Sequence, residues 1–74
     1  MHNLEVFVYD LCKKYSIKLY QFCLTENLID LADGHTFSRL TIEYTGTMVI
    51  TPAAFDAMCK ETKKAGYTLT LRQV

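Results

Sequence analysis

The chain has 74 residues, eight basic and eight acidic side chains, and a formal net charge of zero. That length is one domain, residues 1–74, and the balanced charge excludes the broadly basic surface on which non-specific nucleic-acid binding depends. The three cysteines are odd in number and far apart, which excludes a disulfide framework and a CxxC ligand pair.

Asn3 is the expected N-cap of a first helix, with Glu5 in the first turn where an acid suits the positive helix end. Leu4, Phe7, Val8, Leu11, Cys12 and Tyr15 repeat at helical spacing and form one apolar stripe. Val6 and Tyr9 fall off that stripe. Lys13 and Lys14 sit in the last turn, where cations complement the dipole. The pattern begins directly after Met1, without the basic start and apolar core of a signal peptide. No run approaches the ~18 apolar residues of a membrane span. With the free cysteines, this leads to the expectation of a reducing, cytoplasmic setting.

Ile17–Leu24 reads as a strand that is apolar on both faces. Strict alternation puts Ile17, Leu19 and Cys23 on one side and Tyr20, Phe22 and Leu24 on the other. Thr25, Glu26 and Asn27 read as a turn. Leu28–Ala32 reads as a second strand, ended by the turn signal Asp33-Gly34. Phe37–Tyr44 is a third strand and alternates cleanly, with Leu40, Ile42 and Tyr44 opposite Arg39, Thr41 and Glu43. A turn at Thr45-Gly46 leads into a fourth, Thr47–Ile50. Its register depends on loop length: two residues turn Val49 inward, three turn Met48 and Ile50 inward.

Thr51 and Pro52 mark the start of a second helix as N-cap and first helical residue. Phe55, Met58, Cys59, Thr62 and Ala65 form its inward stripe, and Gly66 closes it. Tyr67–Val74 is a final strand in which Tyr67, Leu69 and Leu71 alternate with Thr68, Thr70 and Arg72.

The order α-β-β-β-β-α-β predicts a two-layer α+β sandwich. In it, two helices cover one face of an antiparallel sheet of four to five strands, and the last strand lies antiparallel to the first. The other face has no cover within so short a chain. Half the residues are apolar, so a surplus of apolar sheet is expected to meet a partner. The candidate partner-binding residues are Ile17, Leu19, Tyr20, Phe22, Phe37, Arg39, Thr68 and Thr70. Edge strands at Thr47–Ile50 and Tyr67–Val74 offer β-addition as a second route.

The inventory for chemistry is thin. His35 sits beside Asp33 at a turn, but no second ligand or nucleophile is spaced for it, and His2 is close to the N-terminus. Cys12 and Cys59 fall on inward stripes and read as small hydrophobes. Cys23 has no cation near it in sequence to stabilise a thiolate. There is no phosphate-binding glycine loop and no hydrolase or EF-hand motif. No catalytic, cofactor or metal site is expected. Lys13, Lys14 and Lys18 form one basic group, and Lys60, Lys63, Lys64 and Arg72 another. Antiparallel helices would hold the two groups at opposite ends.

In type, the chain resembles small phage and plasmid accessory proteins, some of which inhibit host defence complexes. The resemblance covers no specific residues and transfers no site. The expected function is a small non-catalytic interaction module that takes a protein partner, a second copy of itself, or both. The alternative is a nucleic-acid-binding module using the sheet face and lysines, which the charge balance makes the weaker reading. No membrane association is expected.

Overall fold

The computed structural model describes residues 3–47 and 50–74. The expectations for His2 and for the register of Met48 and Val49 lie outside them. The described elements are helix α1 (Leu4–Lys14), strands β1 (Leu19–Ile29) and β2 (Thr36–Tyr44), helix α2 (Pro52–Lys64) and strand β3 (Thr68–Gln73). Among the described residues, no helix is long and apolar enough to cross a membrane.

The helices begin and end where local chemistry places them. Asn3 Oδ1 accepts the backbone N–H groups of Glu5 and Val6, and Thr51 Oγ1 accepts that of Ala54. Each satisfies donors that the first helical turn leaves unpaired. The C-terminal ends are alike. In α2, Gly66 N–H donates to Lys63 O at 2.9 Å and Tyr67 N–H to Thr62 O at 3.1 Å. In α1, Ser16 N–H donates to Lys13 O at 3.5 Å and Ile17 N–H to Cys12 O at 2.8 Å. Both are Schellman closures around a left-handed residue. Gly66 takes that conformation freely at φ +100°, whereas Ser16 holds it at φ +56° without glycine's freedom. The α1 closure drops Ile17 straight into the core, where it is buried.

The sheet differs from the expected one. Among the described residues it has three strands in the order β1-β2-β3 and is mixed, not a four- to five-stranded antiparallel meander. Strands β1 and β2 pair antiparallel, while β2 and β3 pair parallel. Three corrections follow. The predicted first two strands are one continuous strand, because residues 25–27 do not turn the chain. They form a bulge, with Asn27 at φ +59°. Of the predicted fourth strand, the described residues Thr47 and Ile50 carry no strand structure, and Met48 and Val49 lie outside the described residues. The last strand lies beside β2, not β1. The physical reason is the α2 crossover, which carries the chain back along the sheet and so delivers β3 parallel to the strand it left.

Another bulge, at Tyr20, resolves the apparent two-faced strand. Leu19 pairs with Tyr44 and Gln21 with Glu43, so Tyr20 is an extra residue without a partner. The extra residue reverses the alternation. Ile17 and Leu19 before it, and Phe22 and Leu24 after it, therefore belong to the same apolar side. All four join or pack against a single core built on Val8, Leu11, Cys12, Leu40, Ile42, Met58 and Leu69. Both helices contribute to that core, so both cover one face of the sheet, as expected.

The helices also meet each other. Lys14 Nζ donates to Glu61 Oε1 at 2.6 Å, and Tyr15 OH donates to Glu61 Oε2 at 2.9 Å. These bonds join the last turn of α1 to the last turn of α2. The hydrogen bond from Lys14, then that from Tyr15, hold the Glu61 carboxyl below its ordinary range. A carboxyl depressed in the folded state stabilises the fold above its unfolded pKa of about 4.3, and this contribution is lost as pH falls through the lower folded value. Glu61→Gln is therefore expected to unfold at a lower temperature than wild type at neutral pH, by a small amount because the pair is solvent-screened. The difference should close as the solution is acidified below the ordinary carboxylate pKa. Thermal denaturation across an acid pH series measures this, and a gap that widens on acidification contradicts the assignment.

Candidate functional site

The eight residues predicted to bind a partner do not form one surface. Ile17 is buried, and Leu19 and Phe22 are packed against the core, because the bulge at Tyr20 turns them toward the helices. Tyr20 itself is 61% exposed at the bulge. Phe37, Arg39, Thr68 and Thr70 do lie together on the sheet face away from the helices, as the register of β2 with β3 requires. That face is mostly hydrophilic. Along β1 it carries Gln21, Cys23 and Thr25, along β2 Arg39, Thr41 and Glu43, and along β3 Thr68, Thr70 and Arg72. Glu43 accepts from Gln21 Nε2 and lies 3.8 Å from Arg72 Nε. The apolar surplus assigned to this face is thus absent from its centre, because each bulge re-phases β1.

The apolar surface instead collects at one end, at the tip of the β1–β2 hairpin. The bulge at residues 25–27 re-phases Leu28 onto the outer face, where it pairs with Phe37. Ile29, paired with Thr36, points to the helix side, yet it is 62% exposed. The hairpin therefore runs past the helical layer. Leu31 follows in the connecting loop and is 97% exposed.

This loop is built from its own side chains. Asp30 N–H donates to His35 O at 2.8 Å and Gly34 N–H to Asp30 O at 2.7 Å. Asp30 Oδ1 accepts from Ala32 N–H and Asp33 Oδ1 from His35 N–H, each at 2.9 Å. Short acidic side chains make such backbone bonds at turns and compete with regular structure there. Gly34 supplies the left-handed residue at φ +75°. Four hydrogen bonds thus fix a loop with a leucine at its apex and acidic groups around it. Beside it, Asp30, His35, Phe37, Arg39 and Thr68 line an open depression of about 310 Å³. The Arg39 guanidinium lies 5.8 Å from the centre of the Phe37 ring, within cation–π range.

Sequence reading missed this site because it took Asp33-Gly34 as an ordinary turn and Leu28–Ala32 as a separate strand. The available signal was Ile29 and Leu31 on either side of a turn-forming aspartate.

The other candidates carry less. The lysine groups are not at opposite ends, because the Lys14–Glu61 bond brings the two helix C-terminal turns together. Glu61 sits between them, Lys60 is paired with Asp56 at 3.1 Å, and both helices present the negative end of their dipole there. Burial pushes the Cys12 thiol up, and burial with the nearby Asp56 does the same for Cys59, the opposite of the shift that activates a thiolate. Cys23 is exposed on the outer face. Among the described residues, no three His, Cys, Asp or Glu side chains gather to hold a metal ion.

No family model, curated protein or solved structure matches this chain.

Proposed function

We propose that the chain is a small, non-catalytic protein-binding module whose binding element is the tip of the β1–β2 hairpin. The observation that carries this reading is Leu31, 97% exposed on a loop fixed by four hydrogen bonds, beside the exposed Ile29. Moving one leucine side chain from water into an apolar pocket is worth about 1.5–3 kcal/mol. A loop already held in shape loses little entropy on docking, so more of that gain is available to affinity. The partner's chemistry follows from the tip. It is a protein with an apolar pocket for Leu31 and a basic rim facing Asp30 and Asp33. Occluding a surface of a host complex, as some small phage and plasmid accessory proteins do, is a role such a tip serves.

The test compares wild-type and Leu31→Asp proteins as baits, followed by direct titration of the purified partner. Leu31→Asp is expected to weaken binding at least about tenfold, because the pocket must then accept a charge. Its unfolding temperature should match wild type, since Leu31 contributes nothing to the core. A partner that binds both proteins equally, or a wild-type bait that retains nothing beyond the Leu31→Asp bait, overturns the reading.

A further inference from the structure

We infer that the outer edge of β3 pairs with the same edge of a second copy, antiparallel about a two-fold axis at Thr70, to form one continuous six-stranded sheet. This is independent of the hairpin-tip reading. The two edges of the sheet are unlike. Strand β1 is bulged twice, a common device against edge-to-edge pairing. Strand β3 has no bulge and no proline, and among the described residues no strand covers its outer side.

The backbone direction of β3 is fixed by one bond. Val74 N–H donates to Tyr44 O at 2.9 Å, toward β2. Because strand residues alternate, Thr68, Thr70 and Arg72 also direct their N–H and C=O groups to β2. Leu69 and Leu71 direct theirs outward. With the axis at Thr70, Leu69 of one copy faces Leu71 of the other. Each such pair exchanges both backbone bonds, giving four in all. The Thr70 residues face each other on the outer side, a favourable cross-strand pair. Arg72 faces a threonine, Thr68, so no like charges are opposed.

The helix side of the edge suits the same occupant. Cys59, Lys63, Tyr67, Thr68 and Leu69 line a groove of about 230 Å³ between α2 and β3. Leu71 of the second copy, opposite Leu69 and on the same face, enters that groove. One helical turn before Cys59 on the same flank, Phe55 is 38% exposed, and a second copy covers it. An axis at Leu71 instead would set Gln73 over the apolar groove, although its side-chain amide already donates to Gly46 O at 2.6 Å.

The test is a charge swap at Thr70, whose side chain stands on the solvent face and leaves the core intact. Wild type is expected to sediment as a dimer in the micromolar range. Thr70→Lys and Thr70→Glu, each placing like charges face to face, are each expected to weaken the dimer by about tenfold. An equimolar mixture of the two should recover a heterodimer, which also establishes that both variants fold. A monomeric wild type overturns the inference, as does a dimer indifferent to both changes. A dimer weakened by Thr70→Lys but tightened by Thr70→Glu also overturns it, because that pattern sets residue 70 opposite Arg72 and moves the axis to Leu71.

Discussion

Leu40→Ala is expected to lower the stability of the fold by about 3 kcal/mol, within the range for emptying a fully buried leucine site. Leu40 has no solvent exposure. It sits on the central strand, paired with Leu24 on one side and Leu69 on the other, beneath both helices. The shortened side chain leaves a void bounded by strand neighbours whose hydrogen bonds prevent collapse. A small domain has only ~5 kcal/mol to lose. For a chain of this length, 1 kcal/mol shifts the midpoint by about 4–8 °C, so a fall of about 12–24 °C is expected by thermal circular dichroism. A shift of only a few degrees would mean that Leu40 is not at the centre of the core.

Ile17→Asp and Tyr20→Asp are expected to have opposite outcomes. Ile17 is buried where α1 closes, and a carboxylate there has no partner. The cost of burying it is several kcal/mol, comparable to the whole stability, so the variant should be unfolded at room temperature. Tyr20 is the bulge residue, exposed and opposite no residue of β2. Aspartate there should change stability by less than about 1 kcal/mol. Chemical denaturation of the two variants decides the matter. Were Tyr20→Asp the disruptive change, the bulge would be misplaced, and Phe22 and Leu24 would belong to the outer face after all.

The bulge explains how far the binding surface could be read from sequence. In Ile17–Leu24 the apolar pairs Ile17/Leu19 and Phe22/Leu24 are out of phase by one residue. That slip has two physical solutions. Either the strand is apolar on both faces, or it gains a residue and keeps one apolar face. Counting alternation treats only the first. The choice between them is made by β2, whose regular Leu40, Ile42 and Tyr44 are the core-side partners of Leu24, Phe22 and Leu19. The bulge at residues 25–27 acts in the same way on Leu28 and Ile29, and so produces the exposed tip that residue types alone did not locate. Phe37, Arg39, Thr68 and Thr70 were placed on a common face because β2 and β3 alternate without interruption.

By itself the sequence determined the helices, their N-caps, the closing turn at Gly66, and the two-faced alternation of β2 and β3. These depend on contacts no more than about four residues apart, which the order of side chains specifies directly. Tertiary structure alone decided that β3 lies parallel to β2, that the predicted first two strands are one, and which side of β1 is wet. Those outcomes depend on hydrogen bonds between residues distant in sequence, and one inserted residue in a strand reverses every side chain beyond it.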